Sequence, residues 1–178
     1  FSKLLDKTKP ILYIPLAMDE RKYDGCQKWF SEEIKHFNCS NFEMVRSSLE
    51  LSQKDFKNYS ALFIGGGNTF KLLSDIKQNG NYEKIVEYLN NDGIIFGGSA
   101  GAIIFGEDIN SCLIDDGNKV GLENTKGFNF LKDYSLLCHL KNKNFNKNLE
   151  HLSGFSKNRK MIYLAEESVI FINNNKIS

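Results

Sequence analysis

A chain of 178 residues is long enough to form one domain with a hydrophobic core. Its 23 lysines and arginines nearly balance 22 aspartates and glutamates, so its charge gives no reason to expect binding to nucleic acid or to a membrane surface. No apolar run approaches the ~20 residues of a membrane-spanning helix. The four cysteines form no C-x-x-C pair, which argues against zinc or a redox motif and predicts reduced thiols in a cytoplasmic protein.

The first part of the chain alternates apolar runs with amphipathic segments. Short apolar runs predict strands at residues 11–16, 42–45, 61–64 and 94–96. Apolar residues at helical spacing predict helices at residues 22–37, 52–58, 70–79 and 82–89, with Ser52 as the N-cap of the second. This alternation favours a mostly parallel sheet with helices on both faces, whose strands end along one rim.

The second part of the chain is less regular. Residues 115–118 predict a turn at the tip of a hairpin, and residues 134–140 predict a strand. A modest helical stripe covers residues 144–157, and two further strands are predicted at 161–165 and 169–172. We expect residues 1–178 to form a single α/β domain.

A G-x-S-x-G motif formed by Gly97, Ser99 and Gly101 follows the strand at residues 94–96. In a nucleophile elbow, the serine occupies a sharp strand-to-helix turn that exposes its hydroxyl, and small neighbours let strand and helix approach. The N-terminus of the following helix suits a developing oxyanion. The other interpretation is a glycine-rich turn that binds a phosphate or only packs.

A second glycine loop, Gly-Gly-Gly-Asn-Thr at residues 65–69, follows the strand at residues 61–64. Both glycine loops leave the carboxyl ends of predicted parallel strands. Open α/β sheets bind their ligands at this edge, so we expect the two loops to share one site.

A serine nucleophile needs a base, and the chain contains three histidines: His36, His139 and His151. His36 and His151 lie in polar helical segments, where a solvated side chain is expected. His139 follows an apolar strand and should reach the same rim as Ser99. We therefore interpret His139 as the base.

The base in turn needs a carboxylate that orients it. Asp115 and Asp116 lie between Ser99 and His139, whereas Glu166 and Glu167 lie between two apolar runs. The spacing alone does not choose among these four carboxylates.

The chain resembles the peptidase E (aspartyl dipeptidase) family of serine peptidases, which includes cyanophycinases, from about residue 11 to residue 172. The resemblance is carried by the glycine loop at 65–69, the run Gly-Ser-Ala-Gly-Ala at 98–102, the strand ending in His139, and Leu-Ala-Glu at 164–166. It implies a three-layer α/β fold, flavodoxin-like and akin to the class I glutamine amidotransferases. It also implies a Ser, His, Glu triad in that chain order.

The resemblance assigns roles by position. It implies a catalytic triad of Ser99, His139 and Glu166. It implies an oxyanion hole formed by the backbone of Ala100 together with that of Gly66 or Gly67. It also implies that Asn68 and Thr69 contact the substrate. The implied reaction is hydrolysis of short peptides through an acyl-enzyme. We expect no metal, no cofactor, no nucleic-acid or membrane partner, and a monomer or homodimer.

Three features depart from the family pattern. Glu167 follows Glu166 where relatives usually have glycine. Aspartyl dipeptidases bind the acidic side chain of their substrate with an arginine shortly after the histidine. Residues 142–157 contain no arginine and three lysines, Lys143, Lys147 and Lys157. The strand with which relatives begin is missing before Phe1. Two alternatives therefore stay open: hydrolysis of another amide or ester, and a non-catalytic module that binds a small molecule or a partner.

Overall fold

The computed structural model describes residues 1–139 and 153–173, together with the backbone of residues 176 and 177. The helices and strands are, in chain order, β1 (Ile11–Ile14), α1 (Tyr23–Glu33), β2 (Phe42–Met44), α2 (Ser48–Gln53), β3 (Ala61–Ile64), α3 (Thr69–Ile76), α4 (Asn81–Asn90), β4 (Ile95–Gly97), α5 (Ala100–Ile103), β5 (Tyr134–Cys138), β6 (Lys160–Leu164), β7 (Ile172–Asn173) and β8 (Lys176–Ile177). None of these helices is long and apolar enough to cross a bilayer.

Four strands form a parallel sheet in the order β2-β1-β3-β4. Ile11 of β1 aligns with Phe42 of β2 and with Ala61 of β3, and Leu62 aligns with Ile95 of β4. The chain adds strands on one side of β1 and then on the other, as in doubly wound α/β folds. The loops after β3 and β4 consequently leave the same edge of the sheet.

The two faces of this sheet pack against different helices. Successive residues of a strand point to opposite faces. Leu12 of β1 belongs to a buried cluster that includes Phe70 of α3, whereas its neighbour Tyr13 belongs to a second cluster on α1. In that second cluster, the Tyr13 ring stacks on Phe30 with ring centroids 4.2 Å apart. Helices on both faces confirm the three-layer α/β architecture.

Strands β5 and β6 form a separate parallel pair, in which Tyr134 aligns with Lys160 and Cys138 with Leu164. The pair packs against the 3₁₀ helix Ile109–Cys112, which precedes it in the chain, and against α5. The Ser111 hydroxyl of this helix donates to the Leu136 carbonyl of β5 at 2.7 Å.

One helix begins earlier than the sequence predicts. The predicted helix at 52–58 is observed as α2, which begins at Ser48, and as a 3₁₀ turn, Phe56–Asn58. Ser47 caps α2 because its hydroxyl accepts a hydrogen bond from the Glu50 N–H at 3.1 Å. Ser52 lies inside the helix and donates to the Leu49 carbonyl instead.

Two predictions in the second half are wrong. Within the described residues, the segment 113–127 contains no strand, and only an isolated bridge joins Asp108 to Lys126, so the turn at 115–118 is not a hairpin tip. The predicted strand at 169–172 is reduced to β7, because Val169 is 77% exposed and lacks a sheet to pack on. Some predicted features lie outside the described residues, namely His151, most of the helical stripe predicted at 144–157, and the turn residues Asn174 and Asn175.

Candidate active site

Ser99 occupies the turn between β4 and α5 with an unusual backbone conformation. Its φ is 52° and its ψ is −113°, and α5 begins at the next residue, Ala100. Residues other than glycine rarely adopt this region, which costs about 1–3 kcal/mol and is found mainly at functional sites. The turn is fixed to the neighbouring strand, since the Gly98 N–H donates to the Ile64 carbonyl at 3.0 Å.

The glycines on either side of Ser99 are needed because α5 touches both β4 and β3 there. A Cβ on Gly97 would overlap the carbonyl oxygen of Gly101, and a Cβ on Gly101 would overlap the carbonyl oxygen of Ile64. At Gly98 the nearest atom would be 3.9 Å away, which is ordinary contact. Two of the three glycines are therefore required by close backbone packing, as expected for a nucleophile elbow.

His139 comes directly after β5 and faces Ser99. Its Nε2 lies 2.8 Å from the Ser99 Oγ. Its φ of 59° is left-handed, so the chain turns sharply as β5 ends. Beside it, the Cys138 thiol donates to the Ser99 carbonyl at 3.9 Å, and burial, followed by the nearby Glu166 charge, raises the pKa of Cys138 to about 11. This buried cysteine is a packing group next to Ser99.

Glu166 completes the line of hydrogen bonds. Its Oε2 lies 2.9 Å from His139 Nδ1, because aligned β5 and β6 end side by side. The arrangement corresponds to the tautomer in which Nδ1–H donates to Glu166 and Nε2 accepts the Ser99 proton. The His139 and Glu166 side chains are 48% and 47% exposed, so this site is open to solvent.

The other predicted bases and acids lie elsewhere. Exposed His36 precedes β2, at the amino edge of the sheet and therefore opposite Ser99. Glu167 is exposed, whereas the Asp116 carboxylate binds Thr69. Asp115 is exposed as well, and of the four candidate carboxylates it is Glu166 that lies within hydrogen-bond distance of His139.

Three candidate oxyanion donors, the backbone N–H groups of Gly66, Gly67 and Ala100, belong to the glycine loop after β3 and to the first residue of α5. Gly66 packs directly on the serine, since a Cβ on Gly66 would lie 3.1 Å from Ser99 Cβ and 3.6 Å from Oγ. Gly67 has a φ of +136° and fits against the Ala17 carbonyl. Within the described part of the chain, no hydrogen-bond acceptor takes up the N–H of Gly66, Gly67 or Ala100. These donors are available for an oxyanion.

The structure gives Asn68 and Thr69 roles other than open substrate contacts. Asn68 caps α3, since its Oδ1 accepts from the Lys71 N–H at 2.9 Å. Thr69 is fully buried, and its hydroxyl donates to Asp116 at 2.6 Å. The substrate contact expected of Thr69 is therefore not available in this structure, because solvent does not reach its side chain. This link joins residues 47 positions apart and leaves no local signal in the sequence.

A parallel α/β sheet that carries a serine at a strand-to-helix turn, in line with a histidine and a carboxylate, is the arrangement of a serine hydrolase. The model of peptidase family S51 matches residues 1–178, and the chain belongs to this family. It is accordingly a serine peptidase.

Individual relatives agree with this assignment. The chain is 30% identical to an uncharacterised peptidase of Listeria monocytogenes over 147 residues, which cover 81% of this chain and 69% of the relative. It is 29% identical to peptidase E of Haemophilus influenzae over 102 residues, covering 57% of this chain and 45% of that protein. The crystal structure of a candidate peptidase E protein from Listeria monocytogenes matches all of this chain and 89% of its own, with a TM-score of 0.81 and 22% identity. This last likeness concerns the fold.

Proposed function

We propose that the protein is a serine exopeptidase that hydrolyses short peptides through an acyl-enzyme on Ser99. The observation that carries this proposal is the continuous hydrogen-bonded line from Ser99 Oγ through His139 to Glu166, with distances of 2.8 and 2.9 Å. Both distances lie within the range needed for proton transfer between a nucleophile, a base and an orienting acid.

In the proposed reaction, His139 Nε2 takes the proton of Ser99 as Oγ forms a bond to the scissile carbonyl carbon. The carbonyl π electrons move onto its oxygen, which becomes the oxyanion of a tetrahedral intermediate. The intermediate collapses, the C–N bond breaks, and the imidazolium gives its proton to the leaving amine. Water then attacks the acyl-enzyme by the same route and restores the Ser99 hydroxyl.

The oxyanion is held by the N–H of Ala100 together with that of Gly66 or Gly67. Such donors act only when charge has developed on the oxygen, and loss of one typically costs about 2.7–4 kcal/mol of transition-state stabilisation. Ala100 is also the first residue of α5, so its N–H has no acceptor within the helix. These features support a preorganised oxyanion hole.

We further propose that the substrate is not selected by an acidic side chain. The sequence contains three arginines, Arg21, Arg46 and Arg159. Arg21 pairs with Asp19 at 2.7 Å, and Arg46 pairs with Asp24 at 2.7 Å, so each of these guanidinium groups already binds a carboxylate of this chain.

Arg159 is the one arginine that follows His139 in the chain, and it lies at the wrong end of β6. It precedes the first residue of that strand, whereas Glu166 follows the last, a separation of roughly 16 Å or more along an extended chain. Its guanidinium lies 3.5 Å from the Asp108 carboxylate and over the Phe155 ring. A lysine after His139 would supply a point charge but not the bidentate fork of an arginine.

A fluorophosphonate probe tests the nucleophile. We expect one equivalent of probe on Ser99, no labelling of a Ser99→Ala variant, and full labelling of Ser52→Ala, which removes a serine hydroxyl inside α2. Failure of the wild-type protein to label would contradict the proposal and favour a non-catalytic binding module.

A dipeptide library then tests the substrate. Hydrolysis of dipeptides that lack an amino-terminal aspartate would support the proposed selectivity. Strict dependence on aspartate would contradict it, and labelling without cleavage of any peptide would identify a hydrolase of another amide or ester.

A further inference from the structure

The segment after the 3₁₀ helix Ile109–Cys112 folds back onto the start of α3. The Thr69 N–H and the Thr69 hydroxyl both donate to the same oxygen, Asp116 Oδ2, at 2.8 and 2.6 Å. Thr69 is the first residue of α3, so its N–H is one of the donors that the helix itself leaves without a partner. A carboxylate at this position satisfies the donor and faces the positive end of the helix dipole.

A second contact joins the same two segments. The Asn68 side-chain amide donates to the Gly117 carbonyl at 2.9 Å, while its Oδ1 accepts from the Lys71 N–H. Asn68 directly follows Gly66 and Gly67, and Gly66 packs against Ser99. Two adjacent residues thus fix the end of the glycine loop to Asp116 and Gly117.

The other end of this segment is fixed to the strand that carries the base. Besides the Ser111 contact with Leu136, the Asp108 N–H donates to the Ser135 hydroxyl at 3.2 Å. Ser111 and Ser135 are both fully buried. The segment from Asp108 to Gly117 therefore connects β5, which ends at His139, to the loop that supplies the oxyanion donors.

We propose that Asp116 is a positioning residue for catalysis, which holds the glycine loop at the correct distance from Ser99 and His139. This inference rests on the proposed function. Asp116 does not orient the base, because His139 Nδ1 is bound by Glu166 and the Asp116 oxygen is bound by Thr69. It acts through Thr69 and Asn68 on donors that must meet the oxyanion within a few tenths of an ångström.

This role requires an acceptor oxygen but not a negative charge. Both Thr69 donors converge on one oxygen atom, so the amide oxygen of an asparagine can accept the same two hydrogen bonds. Asp116→Asn and Asp116→Ala therefore distinguish positioning from charge relay. If Asp116 acted through its negative charge, both variants would lose activity. If it acts as a positioning acceptor, the alanine variant should lose much more activity than the asparagine variant.

The test measures the rate of Ser99 labelling by a fluorophosphonate, with kcat and KM where a peptide substrate has been found. We expect Asp116→Ala to label at least ~10-fold more slowly with KM little changed, and Asp116→Asn to stay within ~3-fold of wild type. The matched control is Asp115→Ala, which removes the neighbouring exposed carboxylate and should label like wild type. All rates are measured well below the unfolding temperature of each variant.

A second variant keeps the proposal testable if Asp116→Ala folds poorly. Thr69→Val removes one of the two hydrogen bonds and should slow labelling less than Asp116→Ala. Combining both changes should add little to Asp116→Ala alone, since they break the same contact. Hydrogen exchange should also become faster across residues 65–70 in Asp116→Ala.

Two results would overturn the positioning role while leaving the proposed function intact: wild-type labelling rates in a folded Asp116→Ala protein, or an asparagine variant as slow as the alanine variant. Absence of labelling in the wild-type protein would instead overturn the proposed function, and the positioning role with it.

Discussion

Replacing Glu166 with glutamine keeps the size of the side chain and removes the charge that faces His139. During the reaction the imidazole becomes positive, and Glu166 Oε2 lies 2.9 Å from its Nδ1. The substitution therefore removes an interaction that becomes strong only once the proton has moved, so the loss should appear in kcat.

The size of the effect follows from the exposure of the pair. Because both side chains are close to half exposed, solvent screens them, and we take an effective dielectric constant of about 40–80. At 2.9 Å this gives about 1.5–3 kcal/mol, or roughly 10- to 100-fold in kcat. An amide replacing a triad acid can cost about 10⁴-fold by fixing the wrong tautomer. The half-exposed glutamine can rotate to present its oxygen, so we expect the smaller loss.

The assay compares kcat and KM for Glu166→Gln and Glu167→Gln on one peptide substrate, or their fluorophosphonate labelling rates. Glu167 is exposed, so its variant should remain within about 2-fold of wild type. A Glu167→Gln variant slower than Glu166→Gln, or full kcat in Glu166→Gln, would contradict the role of Glu166.

Two further predictions concern stability. Gly97→Ala should destabilise the protein by about 1–3 kcal/mol in urea unfolding, because its methyl group would overlap the Gly101 carbonyl. Gly98→Ala should be nearly neutral, since its methyl group would make only ordinary contacts. An equal loss of stability in the two variants would contradict the close packing at Gly97. The free energy of unfolding should fall as pH rises above about 9. Burial raises the pKa of Cys138 to about 11 and that of Cys112 to about 12, from the ordinary value of 9.0. Above pH 9 the unfolded chain therefore releases protons that the folded chain retains. Urea unfolding at pH 8 and pH 10 measures this fall, which should be shallower when both cysteines are replaced by alanine; an unchanged slope would argue against it.

The sequence predicts the central sheet and both glycine loops because their signals are local. Four buried apolar runs, each followed by a turn or glycine loop, are sufficient to place β1 to β4 and the rim on which Ser99 lies. The predicted start of α2 is wrong because the hydroxyl of Ser47, and not that of Ser52, accepts the hydrogen bond that caps the helix.

The parts of the site that the sequence does not predict depend on distant contacts. The choice between Glu166 and Glu167 depends on where β6 ends beside β5, which a pattern of apolar residues does not determine. The contact between Asp116 and Thr69 spans 47 positions and leaves no periodic signal. The left-handed turn at His139 is also unexpected, since histidine carries no turn signal as clear as glycine.

The reactive hydroxyl and its imidazole belong to two separately paired sets of strands. Ser99 ends the four-stranded sheet, and His139 ends the pair formed by β5 and β6. Neither backbone ladder sets the gap between the two groups. That spacing depends on the packing of α5 against β5, on the contact of Cys138 with the Ser99 carbonyl, and on the hydrogen bonds of the buried serines Ser111 and Ser135. Substitutions of Ser111 or Ser135 should therefore shift His139 relative to Ser99 without contacting either residue, while each set of strands keeps its own pairing.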